Sequence, residues 1–432
     1  MRLFKGRLIL RSKLLIFFIF IISCFGSYFL VHSYFYSINY EVITETRYDA
    51  LVKAMISYPK SFKILDNYDL LANILFDYLW AMDILNLTQY IDVDYLLRYI
   101  ASFQYVNWSD PFFNGGWPHL FSIVGGASGF ELGHSYYVIK ALKYYNRLDL
   151  IDVDALKHFV LVRYNWSSGG FHEIPFYDRF LGVWIANSHA PIVRQYGKYD
   201  MFAYDNVFST YYAISILHEL NALHLIDANL TANFILSLVN PLGLFNPVKN
   251  YSFHHPLYPA FPIDSFGTYS TYIYAAYMTL ILLNKTDILP YHVLDSIRSY
   301  LRNIFVTTSF GDKKVTFFIP YYVNRPNFYS LIDVPWVNYY MIKLLETMDL
   351  LDDYFDTTKK EEFSNYIESH QLNYLMEKNA YYGLIAGPAT PVMIITIKKL
   401  DLWNSFKDPS PLAINTKKKI MKLTLIYSSF LI

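Results

Sequence analysis

The sequence predicts an all-α fold, an α/α toroid of about five helical hairpins carried behind one N-terminal hydrophobic segment. Three observations predict it. Tyr-rich helix starts recur along the chain, matching Asp or Asn breaks separate paired helices, and long loops marked by Gly and an aromatic residue follow each pair.

The helix starts read Ser135-Tyr136-Tyr137, Ser209-Thr210-Tyr211-Tyr212, Ser270-Thr271-Tyr272 and Asn338-Tyr339-Tyr340. Each opens a helix that is apolar on nearly every side, so several neighbours must cover it. The breaks read Ile91-Asp92-Val93-Asp94, Ile151-Asp152-Val153-Asp154 and Ile226-Asp227-Ala228-Asn229. An Asp there caps the second, more amphipathic helix by accepting from its free N–H groups. The pairs fall at roughly 68–105, 131–164, 206–239, 268–305 and 334–374, with no linker across 60–400. Repeats of this length describe stacked hairpins, either an open superhelix or a closed ring. Long loops folding over one rim favour the ring. The loops carry Gly115-Gly116-Trp117-Pro118, Gly169-Gly170-Phe171, Gly243-Leu244-Phe245 and Tyr382-Gly383-Leu384.

These motifs resemble the repeats of the terpenoid cyclase and protein prenyltransferase superfamily over most of residues 68–390. The resemblance implies the toroid. In protein prenyltransferases it also implies a zinc site, built from Asp-x-Cys at one inner-helix start and Asp-x-x-His-Thr at another. Here the matching starts carry Val207, Phe266 and Pro335 where the thiolate is needed, and only His134 is of ligand type. Asp92-Val93-Asp94 and Asp152-Val153-Asp154 each lack the last acid of the Asp-x-Asp-Asp of protonating cyclases, and capping accounts for them. The expectation is no bound metal and no cofactor.

Composition narrows the classes further. The 432 residues are 54% hydrophobic, enough for a large core, and 36 basic residues balance 36 acidic ones, so no footprint for nucleic acid is present. The 42 Tyr and 34 Phe suit the wall of a cavity for sugars or greasy chains, and a biased base composition produces the same enrichment. Cys24 is the only cysteine, which excludes an internal disulfide and any thiolate metal site in the folded part.

The chain divides into a stub and anchor over 1–37, a toroid over 38–400 and a tail over 401–432. Arg2, Lys5, Arg7, Arg11 and Lys13 precede an uncharged run from Leu14 to Val31, about the minimum length for a membrane span with its basic flank inside. The expected partner of residues 14–31 is therefore the membrane, with the toroid extracytoplasmic. Ile21-Ile22-Ser23-Cys24 resembles a lipobox, which leaves a lipoprotein anchored through Cys24 as the alternative to a signal anchor or a cleaved signal. Sequons at Asn86, Asn107, Asn165, Asn229, Asn250 and Asn284 agree with an outward domain.

The site expected from the sequence is a ring of acids around one rim. Asp69, Glu131, Asp205, Asp264 and Asp333 are each expected to precede an inner helix by a few residues, where capping is the competing role. Asp205, Glu131 and Asp264, with His172-Glu173 after Gly169-Gly170-Phe171, are the catalytic candidates as carboxylate acid and base. Trp117, Phe171, Tyr211 and Tyr272 are the candidates for substrate binding. As a cap, Asp205 tolerates Asn with little cost; as an acid or base it does not.

Three hypotheses follow: an extracytoplasmic enzyme acting on a carbohydrate or polyprenyl-linked glycan, a cyclase or transferase relative acting on an isoprenoid, and a silent binding or scaffold toroid at the cell surface; the ligand is a small molecule, a glycan or an isoprenoid. Asn114-Gly115-Gly116-Trp117-Pro118 resembles a stretch of glucuronyl epimerases, which sits with the glycan reading. Two carboxylates about 5–10 Å apart point to glycoside chemistry. A dry aromatic funnel points to an isoprenoid, and a centre filled with side chains points to a scaffold.

Overall fold

The computed structural model describes residues 55, 68–110, 112–119, 129–130, 132–172, 176–178, 183–185, 205–249, 269–310, 312–319, 330–376 and 390–406. The hydrophobic run 14–31, Cys24 and the tail beyond Phe406 lie outside them. Among the described residues, no helix is long and apolar enough to cross a membrane.

Eleven principal helices follow in chain order: α1 Tyr68–Ile84, α2 Val93–Ala101, α3 Leu132–Tyr144, α4 Val153–Leu161, α5 Val207–Glu219, α6 Ala228–Ser237, α7 Tyr269–Leu282, α8 Tyr291–Ile304, α9 Ser330–Thr347, α10 Thr357–Met376 and α11 Thr390–Lys399. The odd-numbered helices form the inner ring. α1 packs on α3, α3 on α5, α5 on α7, α7 on α9, α9 on α11, and α11 returns to α1. The ring is closed, and it has six members where the sequence suggested about five. The sixth, α11, completes it with Val392, Met393, Ile394, Ile395 and Ile397, all enclosed. Outer helices lie across the seams: α2 packs on both α1 and α3, and α4 packs on α5.

One local device ends every inner helix. Asn86, Asn146, Asn221, Asn284, Asp349 and Asp401 all adopt φ between 53° and 56°. Asn and Asp tolerate this left-handed conformation better than other residues with a Cβ. The next N–H then reaches back to the helix, as in Leu87 N to Met82 O at 2.8 Å and Leu402 N to Ile397 O at 3.0 Å. This is the Schellman closure, which satisfies carbonyls the helix leaves open. The outer helices begin on the Asp caps the sequence predicts: Asp92 accepts from Tyr95 N, Asp152 from Ala155 N, and Asp227 from Asn229 N and Leu230 N.

The fold is not purely helical. Three antiparallel two-stranded hairpins occur among the described residues: β1 Pro118–His119 with β2 Gly129–Phe130, β3 Phe176–Asp178 with β4 Val183–Ile185, and β5 Phe305–Phe310 with β6 Lys313–Phe318. The last lies against α10. Its alternation around Gly311-Asp312 is a hairpin signal set inside a helical repeat.

The Gly-aromatic loops join neighbouring hairpins. Gly115, at φ +97°, lies so close to Ala155 in the first turn of α4 that a Cβ would come within 2.0 Å of its carbonyl oxygen. Gly169, at φ +82°, stands in the same relation to Leu230 and Thr231 of α6. The aromatic residue that follows is buried in the seam. Trp117 is fully enclosed and donates its indole N–H to Ile100 O at 2.8 Å, while Phe171 is fully enclosed with its ring 4.9 Å from Tyr164.

Candidate functional site

Asp205 sits at the start of α5, one residue before the cap. The cap is Asn206, whose side chain accepts from Ser209 N at 2.9 Å. Asp205 instead turns toward the preceding loop. Its Oδ2 accepts from Ser168 Oγ at 2.5 Å and from Asn165 Nδ2 at 2.7 Å, and His172 Nδ1 stands 3.8 Å from Oδ1. A Cβ on Gly170 would lie 2.8 Å from that of Asp205. Asp205 and His172 are thus brought together, as the sequence suggested, but around the Gly169-Gly170 turn. Burial alone would push the Asp205 carboxyl up; the facing His172 with the Ser168 and Asn165 donors outweighs it and holds the group below the usual range. A carboxyl held ionised suits accepting hydrogen bonds, not donating a proton. Glu131, Glu173 and Asp264 lie outside the described residues.

The sign of the linkage follows. The folded-state pKa is depressed, so the contribution of Asp205 is present above the unfolded value, about 3.9, and is lost as pH falls through the folded one. Asp205→Asn should flatten that acid limb and, by replacing a charged acceptor of the Ser168 and Asn165 hydrogen bonds with a neutral one, cost roughly 1–3 kcal/mol at neutral pH. Chemical denaturation at pH 7 and pH 3 checks both. An unchanged midpoint at pH 7 would return Asp205 to a dispensable position.

The centre of the ring carries the second arrangement. Inner-ring tyrosines meet at one level: Tyr136 Oη lies 2.8 Å from Tyr211 Oη, which lies 3.4 Å from Tyr274 Oη, and Tyr137 Oη lies 3.4 Å from Tyr340 Oη. Tyr339 donates to Asp77 Oδ1 at 3.1 Å and accepts from Lys343 Nζ at 2.9 Å. Lys140 Nζ donates to Tyr136 Oη at 3.3 Å. Tyr136, Tyr211, Tyr274 and Tyr339 are buried, and Asp77 is 2% exposed. Burial pushes the Asp77 carboxyl up, against the pull of Lys343 and Lys140 and the bond from Tyr339. It also drives the tyrosines well above their ordinary value, so the hydroxyls stay protonated and serve as donors. Tyr137, Tyr212, Tyr340 and Trp336 remain partly exposed.

Tyr211 therefore belongs to this belt. Tyr272 packs behind it, its ring 5.4 Å from Phe208. Trp117 and Phe171 are enclosed in seams between repeats. The sequence pointed to the tyrosines but not to Asp77, Lys140 and Lys343. Their signal was a charge on the face that each Tyr-rich start turns inward, since Lys140 follows Tyr136, and Lys343 follows Tyr339, by one helical turn.

The zinc of the protein prenyltransferases does not fit the residues present. Val207 is a fully enclosed aliphatic side chain, and Pro335 lies inside α9. Neither offers a donor atom, and Phe266 lies outside the described residues. No group of three or more His, Cys, Asp or Glu able to hold a metal occurs among the described residues.

A closed ring of six inner helices, sheathed by outer helices and centred on a tyrosine belt, defines an α/α-toroid protein. The prenyltransferase alpha-alpha toroid domain matches residues 75–180 and 183–306, and the chain belongs to that family. Among solved structures it is similar to the Candida albicans protein geranylgeranyltransferase-I complexed with GGPP, at 14% identity and a TM-score of 0.49, over 84% of this chain and 97% of that one. A search of curated proteins finds no match.

Proposed function

We propose that the protein is a membrane-anchored, extracytoplasmic toroid that binds an extended apolar chain of the isoprenoid class against its tyrosine belt. The observation that carries this reading is the belt itself. Its hydroxyls bond to one another and to Asp77, so the partly exposed rings of Tyr137 and Tyr340 are apolar surface with their polar handles already satisfied, and the rings of Tyr212 and Trp336 lie beside them. A glycan site needs the opposite, hydroxyls left free to bond to sugars. Asp69 and Asp333 fall inside α1 and α9, not before them, and Asp205 is occupied in its turn, which weakens the paired-carboxylate reading. Chemistry on a head group at the rim would fall to Glu131, Asp264 and Glu173, with His172.

Titration of the full chain in detergent with farnesol, followed by tryptophan fluorescence, tests the reading. Saturable binding is expected, with Tyr212→Ala and Tyr340→Ala weakening it about 10-fold or more. Binding of a linear oligosaccharide in place of farnesol would overturn it in favour of the glycan.

The anchor has its own test. Alkaline carbonate should leave the protein in the membrane fraction, and Cys24→Ser should change nothing. Release of the Cys24→Ser chain, or a lipid mass on Cys24, would replace the spanning anchor by a lipid.

A further inference from the structure

The six left-handed residues that end the inner helices give each helix a common origin. Counting six residues back from each reaches Trp80, Lys140, Ser215, Met278, Lys343 and Ile395, one level of the ring. It lies one helical turn beyond the tyrosine belt, toward the short turns and away from the helix starts and their long loops. Lys140 is four residues from Tyr136, Ser215 four from Tyr211 and Lys343 four from Tyr339, so all three stand on the faces that point into the ring.

The chemistry of this level is one-sided. Lys140 and Lys343 bring two ammonium groups, and neither has a carboxylate at ion-pair distance among the described residues. The nearest acids are otherwise engaged or stand off: Asp77 accepts from Tyr339, Glu346 pairs with Lys399, and Glu219 lies a turn further toward the surface. The Ser215 hydroxyl is 6% exposed at residue level and has no hydrogen-bond partner among the described residues. A buried, unpaired hydroxyl costs free energy unless something arrives to meet it. The ammonium groups rest over rings, Lys140 Nζ 4.9 Å from the Phe76 centroid and Lys343 Nζ 4.5 Å from that of Tyr339, which favours their charged form. Burial works against that form and lowers both lysines, and for Lys140 the charge of Lys343 adds to it. Trp80, Met278 and both lysines are nevertheless partly exposed.

We propose that this level is an oxyanion site, in which Lys140, Lys343 and Ser215 hold a phosphate- or carboxylate-type group below the tyrosine belt. Asp77, joined to Lys343 only through the Tyr339 hydroxyl, is one carboxyl for two ammonium groups; a bound anion would supply the missing negative charge, and an acceptor for Ser215. Trp80 and Met278 beside it would receive apolar carbon attached to the anion. The ligand is therefore a free oxyanion or the anionic head group of an amphiphile. The site is separate from the apolar surface above the belt and does not depend on that reading.

Amine labelling of the full wild-type chain in neutral detergent tests the site without altering the fold. The chain is treated briefly with acetic anhydride, alone, with inorganic phosphate or with dodecyl phosphate, and each lysine is followed by mass spectrometry. One anion or both should slow modification of Lys140 and Lys343 and leave Lys157 and Lys359, on outer helices, unchanged. Protection by phosphate identifies a free oxyanion; protection by dodecyl phosphate alone identifies a head group. Lys343→Met, folded by circular dichroism, should weaken the protecting anion about 10- to 100-fold, and Ser215→Ala should weaken it less. Failure of both anions to protect the two lysines overturns the proposal. So does equal protection of Lys157 and Lys359, or a folded Lys343→Met chain with unaltered affinity.

Discussion

A chain ending at residue 389 should show no cooperative unfolding transition. The missing α11 closes the ring, contacting α9 on one side and α1 on the other. Val392, Met393, Ile394, Ile395, Ile397 and Leu400 are each at most 1% exposed. Burying one such side chain contributes about 1.5–3 kcal/mol, so six amount to roughly 9–18 kcal/mol, against a total stability of about 5–15 kcal/mol for an ordinary domain. The loss also uncovers Trp80 and Ile84 of α1, which pack against the cluster that Val392 and Ile395 form with Tyr339. Calorimetry and circular dichroism of the shortened chain check the result. A melting midpoint equal to that of the full chain would mean that α11 is an appendage and the ring is complete without it.

Gly169→Ala should be strongly destabilising. The residue adopts φ +82°, and a Cβ there would stand 2.4 Å from the backbone carbonyl carbon of Leu230 and 2.6 Å from Thr231 N. The left-handed conformation costs an alanine about 1–2 kcal/mol, and forcing backbone apart in a packed seam adds about 1–3 kcal/mol. The sum, roughly 2–5 kcal/mol, falls on the joint between the second and third hairpins. Gly133→Ala provides the contrast. Its Cβ would meet the Tyr212 ring at 3.4 Å, an ordinary contact, in a helix where Ala is preferred to Gly by about 1 kcal/mol. Denaturant midpoints should therefore fall steeply for Gly169→Ala and hold or rise for Gly133→Ala. Equal shifts would show that the seam yields easily and that Gly169 is not what keeps the hairpins together.

The sequence revealed the hairpins because their signals are local. An Asp cap, a Gly-aromatic loop and a Tyr-rich start each act within a few residues, and the inner helices begin within a few residues of the positions those signals predict. The sixth inner helix was missed for a physical reason. Thr390–Lys399 carries no tyrosine pair, and only its closing turn at Asp401 matches the others. Its membership is a property of closure, which only the contact between the two ends of the toroid reveals. Asp205 was harder still. Asp and Asn cap about equally well, so Asp205-Asn206 does not say which residue caps and which turns back to Ser168. The seam role of Trp117 and Phe171 depends on how closely the next outer helix approaches, a distance that no single repeat encodes. Lys140 and Lys343 read as ordinary helix residues until four faces are brought to one centre.

Closure also sets an order of events during synthesis. α1 is made early, and the helix that covers its far side follows about 300 residues later. At about 5–20 residues per second, that interval lasts roughly 15–60 s, far longer than the microsecond formation of a helix. For that time one flank of α1 is an adhesive surface on a growing chain. An open superhelix would bury each new repeat on the one before it and keep only its newest edge exposed. This ring keeps two edges exposed until the end, its oldest and its newest. Aggregation during expression should therefore depend on translation rate and on chaperone supply more steeply than the stability of the finished ring would suggest.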